Sequence, residues 1–233
     1  DDPEHYADGK WTHVIDEFRV PEWWKIWRGF DFGYAKPFSV GWYAADGDGK
    51  IYRIREWYGC TAVANEGVKL DPQAIAAGIR EIERTDPNLA GRKILGVADP
   101  SIFDTSRGRS VADMMADAPN FVTWTGGDNS RLAGKMQWHY RLKFDADGDC
   151  MMQVFKGCRE FQRTIPALLY DAKHPEDIDT AMEDHIYDEC RYVLMENPIS
   201  PRQDEPLPPV GDDPLNMERD LRREKYERSK AWR

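Results

Sequence analysis

Apolar and polar positions alternate along three successive runs near the start of the chain. Trp27 to Tyr34, Phe38 to Ala45 and Ile51 to Tyr58 each predict a strand. In the third run Tyr52, Ile54 and Glu56 alternate against Ile51, Arg53, Arg55 and Trp57. Asp46-Gly47-Asp48-Gly49 between the second and third runs is hairpin-turn chemistry, so the three read as an antiparallel meander. Ahead of them, residues 1–28 crowd Trp23, Trp24 and Trp27 and are expected to lay these rings on the domain edge.

The period then changes. Asp71-Pro72 opens a helix, because Asp can cap it and Pro suits its first turn, and Ile75, Ile79 and Ile82 form its apolar stripe. Lys93 to Ala98 is a compact apolar strand stopped at Asp99-Pro100. Val111, Met114 and Met115 predict a short helix, and Phe121 to Trp124 a further strand. Leu132, Met136 and Tyr140 share a face of the next helix, and Met151 to Phe155 reads as a short strand. Phe161 to Tyr170 is expected to be helical with a bend at Pro166, and a last helix is expected from Glu183 to Met195.

The order βββαβαβ…α, three antiparallel strands followed by parallel additions, is the ribonuclease H-like order. The fold class expected is therefore α/β, with a mixed central sheet flanked by helices. The domain is expected to span residues 29–197, after a lead-in of residues 1–28. From Pro198 the proline and acid content predicts an extended, charged tail over 198–233, and Met217 to Arg233 has helix-forming composition without a broad apolar face.

Composition narrows the function classes. At 233 residues and 41% hydrophobic, the chain can bury a real core. It has no apolar run of membrane-spanning length, so no membrane role is expected. Asp1-Asp2-Pro3-Glu4 is not a signal peptide and reads as mid-protein sequence, so a longer protein is expected. Cys60, Cys150, Cys158 and Cys190 form no C-x-x-C pair and read as reduced thiols. A net charge of −10 argues against a domain that holds DNA tightly on its own. Basic residues nevertheless gather at Arg107 and Arg109 and at Arg131, Lys135, Arg141 and Lys143. They are either a nucleic-acid surface or an ordinary solvated one.

The candidate chemistry is carboxylate chemistry. Asp31 sits between Phe30 and Phe32, so a period-two strand turns it to the face opposite those rings. A charge in such a place needs a metal, a base or water; a strand-end Asp bonded to nearby backbone is the plainer alternative. Asp99 stands at the tip of the next predicted strand, where Asp-Pro alone would mark only a turn; Asp104 nearby reads as a loop acid or a supporting one. Asp184 and Asp188 are four apart at a helix start, on one face with Arg191, while Ile186, Cys190, Val193 and Leu194 face the core. There the macrodipole favours acids, so a solvated acidic face is the alternative. His185 could orient a carboxylate, but is expected to be a surface histidine. Hard oxygen ligands suit Mg²⁺ and Mn²⁺, and a pair of such ions can serve phosphodiester hydrolysis. Asp31-Phe32-Gly33 lacks the other kinase motifs, and Gly134-Lys135-Met136 lacks the rest of a Walker A loop.

These residues resemble a known family. Glu183-Asp184-His185-Ile186-Tyr187-Asp188-Glu189-Cys190-Arg191-Tyr192, preceded by Lys173-His174-Pro175-Glu176-Asp177-Ile178-Asp179, is similar to the D-H-x-x-D-x-x-R-Y signature of the C-terminal nuclease domain of tailed-bacteriophage terminase large subunits. Gly29-Phe30-Asp31-Phe32-Gly33-Tyr34 and Ala98-Asp99-Pro100 resemble that family's first two acidic motifs, and Phe161 to Pro166 a segment ahead of the third. The likeness covers roughly residues 27–196.

The resemblance implies a ribonuclease H-like, two-metal DNA endonuclease that cuts concatemeric viral DNA during genome packaging. It implies Asp31, Asp99 and Asp184 as catalytic metal ligands for two Mg²⁺ or Mn²⁺ ions, with Asp188 contributing; Glu183 competes for the second ion. The implied partners are double-stranded DNA, an N-terminal packaging ATPase domain of the same protein, the portal and the small terminase subunit. The implied place is the bacterial host cytoplasm, at the procapsid portal. Another ribonuclease H-like strand-transfer enzyme, or a non-catalytic domain of the packaging motor, is the alternative.

Overall fold

The structure, a computed structural model, describes residues 3–106, 108–172 and 177–200. Arg107, the Lys173–Glu176 part of the third-motif segment and the tail from residue 201 lie outside the described residues.

The meander forms as its pattern predicts. β2 (Lys25–Asp31), β3 (Ser39–Ala45) and β4 (Ile51–Tyr58) pair antiparallel in sequence order. The turn between β3 and β4 closes because Asp46 Oδ1 accepts the backbone N–H groups of Asp48 and Lys50, each at 2.9 Å, while Gly49 takes a φ of +81°. β2 begins earlier and ends earlier than its apolar run, so Phe32 to Tyr34 lie beyond the strand.

β5 (Ile94–Ala98) adds parallel to β2, and β6 (Thr125–Gly126) adds parallel to β5. On the other side β7 (Met152–Phe155) adds parallel to β4. β1 (Val14–Ile15), drawn from the expected lead-in, closes that edge parallel to β7. The sheet therefore runs β1-β7-β4-β3-β2-β5-β6. All of β3 is buried, because both faces of the sheet are covered.

α1 (Pro72–Thr85) starts where Asp71 accepts a hydrogen bond from Ala74 N, and packs with α2 (Val111–Ala116) on one face. On the other face α5 (His185–Glu196) lies across β2 and β3, with α3 (Arg131–Leu142) against it. Ile186, Cys190, Val193 and Leu194 are fully buried, the anchoring stripe expected of α5. α4 (Arg159–Thr164) passes into a 3₁₀ turn at Ile165–Ala167, so helix stops before Tyr170.

Two expectations fail. Phe121 to Trp124 is not a strand: Phe121 has a φ of +50° and its carbonyl is held by the Arg80 guanidinium, which breaks extended pairing until Thr125. The predicted stripe of α3 is also turned. Leu132 and Met136 are exposed, and α3 buries Gly134, Gln137, Trp138 and Arg141 instead. Trp138 decides this, stacking on Tyr187 of α5 with ring centroids 5.2 Å apart.

A buried ion pair crosses from α5 to the sheet. Arg53 of β4 donates to Glu189 Oε2 at 2.7 Å, Ser39 Oγ donates to the same oxygen, and neither charged side chain has solvent access. The sheet makes room with glycine: a Cβ at Gly29 or Gly41 would collide with the Glu189 carboxylate.

Candidate active site

Parallel pairing of β2 with β5 ends at Phe30 opposite Ala98, and Asp99 N donates to Phe30 O at 3.1 Å. Asp31 and Asp99 thus leave adjacent strands at the same end of the sheet, where parallel α/β sheets bind ligands. α5 begins at that end, with Asp184 as its N-cap residue and Asp188 in its first turn. Three segments far apart in the chain supply these four acids.

The acids do not stand bare. His185 Nδ1 lies 3.0 Å from Asp31 Oδ2, and its Nε2 lies 3.2 Å from Asn65 Oδ1. Asp99 Oδ1 accepts Ser101 N at 2.6 Å, while Oδ2 accepts the Tyr192 hydroxyl. Asp188 Oδ1 accepts Arg191 Nε at 3.1 Å, and its Oδ2 lies 3.7 Å from an Arg131 nitrogen. Arg191 also donates to Asn129 Oδ1 at 3.0 Å and to the Tyr192 hydroxyl oxygen at 3.3 Å. Asp184 is buried and its side chain makes no capping bond.

Burial and mutual repulsion raise two of these acids. Burial is the main force pushing Asp31 up to about 7; the charges of Asp188 and Asp99 add to it and His185 opposes it. Burial, then the charge of Asp188, pushes Asp184 up to about 6. His185 moves above its ordinary value: burial resists its charge, but the bond to Asp31 and the nearby Asp184 and Glu183 prevail. Asp99 lies below its usual range, since burial is outweighed by the bonds from Tyr192 and Ser101 and by Arg191.

Glu183 stands apart from the other acids. Both of its oxygens accept from Arg163 at 2.8 Å, and the Tyr58 hydroxyl donates to Oε1 at 3.0 Å. That clamp, with Arg163 the chief cause, holds its carboxyl at about 2. Cys60 Sγ also lies 3.8 Å from Oε1, so most of its acceptor sites face protein donors.

The donor set fits a hard divalent cation by chemistry: carboxylate oxygens, crowded enough to resist ionisation together. In geometry Asp31, Asp99 and Asp188 already have protein partners, and among the described residues no group of three His, Cys, Asp or Glu side chains forms a ready ion-holding cluster.

Other expectations shift. His185 is no surface residue: its side chain is 16% exposed and bound at both nitrogens. Asp104 shapes a loop by accepting from Ser106. The basic cluster disperses, because Arg109 pairs with Asp117, Arg131 with Asp177, and Arg141 is buried donating to the carbonyls of Gly49 and Asn197. Asn65 and Asn129 gave no signal in sequence, as lone polar loop residues carry no pattern. Tyr192 stood in the signature but suggested no contact.

No family model matches the chain, and no curated protein does. Solved structures do. The nuclease domain of the P22 large terminase aligns over 78% of this chain and 86% of its own, at 17% identity and a TM-score of 0.60. The large terminase of a thermophilic bacteriophage, solved in complex with ADP, aligns over 78% of this chain at 21% identity and a TM-score of 0.55. This chain spans only 41% of that second protein. With its antiparallel meander and parallel flanks, the chain has the ribonuclease H-like fold of these terminase nuclease structures.

Proposed function

We propose that this domain is a divalent-metal-dependent DNA endonuclease, the nuclease part of a terminase that cuts viral DNA during packaging. The observation that carries the proposal is the register of β2 on β5. It sets Asp31 beside Asp99 at the sheet end where α5 brings Asp184 and Asp188. The fold shared with the P22 nuclease domain supports it.

In this reading Asp31, Asp99 and Asp184 would hold Mg²⁺ or Mn²⁺, with Asp188 in support. Bound metal would lower the pKa of an attacking water and stabilise the leaving oxygen. The chain's own residues do the positioning. His185 fixes the Asp31 carboxylate, Tyr192 fixes that of Asp99, and Arg191 holds Asp188. Arg163 withdraws Glu183 from the ligand set. Cutting should be largely indifferent to sequence, since the chemistry addresses the phosphodiester rather than base edges. A net charge of −10 suits a domain tethered to a DNA-holding partner: an ATPase domain of the same protein, acting at a portal with a small terminase subunit in the bacterial cytoplasm.

The test is plasmid nicking in Mn²⁺. Asp31→Asn should reduce it to background with an unchanged circular dichroism spectrum; cutting by a clean preparation of that variant would reject the assignment. A non-catalytic motor domain is the second reading, favoured by the protein partners that Asp31, Asp99 and Asp188 already have. For that domain Mn²⁺ should leave the melting temperature where it was.

A further inference from the structure

Arg28 lies three residues before Asp31 on β2, so the strand pleat turns it to the opposite face of the sheet, under α1. It lines a cavity of about 260 Å³ with Arg80, Arg84, Arg92, Glu83 and Thr123. Four arginines and one carboxylate, Glu83, line it, in a chain of net charge −10. The cavity is below drug-ligand size and roomy for a single phosphate group.

The donors are only partly used. The Arg28 side chain is 4% exposed; it donates to Glu83 and to Thr123 O, stacks over Trp124 and has no partner at Nε among the described residues. Burial pushes this guanidinium below its ordinary value despite Glu83, so a further anion would relieve an under-compensated charge. Among the described residues Arg92 has one bond, to Trp24 O at 2.6 Å, which leaves most of its fork without a partner there. Arg84 is bound to Glu81, whose side chain is 60% exposed and therefore a weak competitor. Arg80 commits its donors to Asn120 O, Phe121 O and Glu83, and contributes charge alone. The carbonyl end of α1 opposes an anion with about half a unit of negative charge, which four guanidiniums outweigh.

We propose that this cavity is a phosphate-binding site, separate from the carboxylate site on the other face, with Arg28 as its buried floor and Arg84 and Arg92 as its rim. Arg forks match phosphate oxygens in pairs. The phosphate could belong to a small molecule or to a nucleic-acid backbone.

The experiment uses the full chain without divalent metal. Inorganic phosphate is titrated at constant ionic strength against a chloride control, by calorimetry and thermal shift. Binding should saturate, and should weaken about tenfold in the Arg84→Gln/Arg92→Gln double variant, where two charge-assisted contacts are lost. Arg159→Gln, an exposed arginine of α4, should bind as the parent does. A short unphosphorylated duplex supplies the second arm. Competition with phosphate that depends on Arg84 and Arg92 assigns the site to a DNA backbone; phosphate binding that the duplex leaves alone assigns it to a small phosphate. No saturable binding beyond chloride, or equal binding by the double variant, overturns the site.

Discussion

The Tyr192 hydroxyl donates to Asp99 Oδ2 and so ties the middle of α5 to the tip of β5. The same hydroxyl oxygen accepts from Arg191, which also holds Asp188. One aromatic side chain therefore sets the spacing between two of the four acids. Tyr192→Phe removes the donor and keeps the ring. Loss of a group that orients a metal ligand typically costs ten- to a hundredfold, so nicking should fall by about tenfold, with half-maximal rate moved to higher Mn²⁺. Global stability should change by only about 1 kcal/mol. An unchanged Mn²⁺ dependence would show that Tyr192 serves packing alone.

Glu183 and Asp184 are neighbours with opposite fates. Arg163 and Tyr58 saturate Glu183 and hold its carboxyl at about 2, whereas Asp184 is raised to about 6. Glu183→Gln should keep nicking within about threefold of the parent while losing about 1 kcal/mol of stability, a small value because Arg163 is partly solvated. A depressed carboxyl contributes stability above its ordinary pKa and loses it as pH falls, so that loss should be measured at neutral pH. Asp184→Asn should reduce nicking to background. A reversed pattern in the nicking assay would move the metal to Glu183.

Much of the fold is legible in the sequence, for identifiable reasons. Hairpin chemistry at Asp46 to Gly49 and the Asp71-Pro72 cap are local signals, and both elements formed where they pointed. β1 was missed because two residues carry no period, and β6 because Phe121 adopts a backbone that no propensity foretells. The stripe of Leu132 and Met136 does not mark the buried face of α3, because stacking of Trp138 on Tyr187 sets the rotation of that helix. The role of His185 is hidden in sequence because its partner, Asp31, is 154 residues away in the chain. Charges that are buried, such as Arg53 and Glu189, look in sequence like any solvated pair.

That pair is the next prediction. Arg53 and Glu189 have no solvent access, and Arg53 also contacts the Tyr43 hydroxyl and lies 3.4 Å from Glu56. Glu189→Ala would leave the guanidinium in the core without its chief counter-charge, at a cost of roughly 3–5 kcal/mol. Replacing both ends by apolar residues, Arg53→Met with Glu189→Leu, should recover most of that loss. Denaturant titration of the three variants measures it. A double variant as unstable as Glu189→Ala alone would mean that the pair is required for more than charge balance.

The raised acids make the metal-free protein sensitive to pH in a definite direction. Asp31 at about 7 and Asp184 at about 6 both stand above the ordinary 3.8, so the folded state binds protons that the unfolded state has released. Stability should therefore fall as pH rises from about 4 to about 7, and level off above that. His185, raised by Asp31, acts in the same sense, since its contribution is present at low pH and lost as it deprotonates. A metal-free sample should melt on the order of 5 °C lower at pH 8 than at pH 5 on account of these groups. Asp31→Asn removes the largest contributor and should flatten that dependence, which separates it from the general effect of net charge. Mn²⁺ should raise the melting temperature of the parent more at pH 8 than at pH 5, because at pH 5 it competes with protons for the same oxygens. Scanning fluorimetry of parent and Asp31→Asn, with and without Mn²⁺, checks all of this in one set of melts. Parallel curves for the two proteins at every pH would mean that burial and the neighbouring acids do not raise Asp31, and would remove the electrostatic case for a cation between these acids.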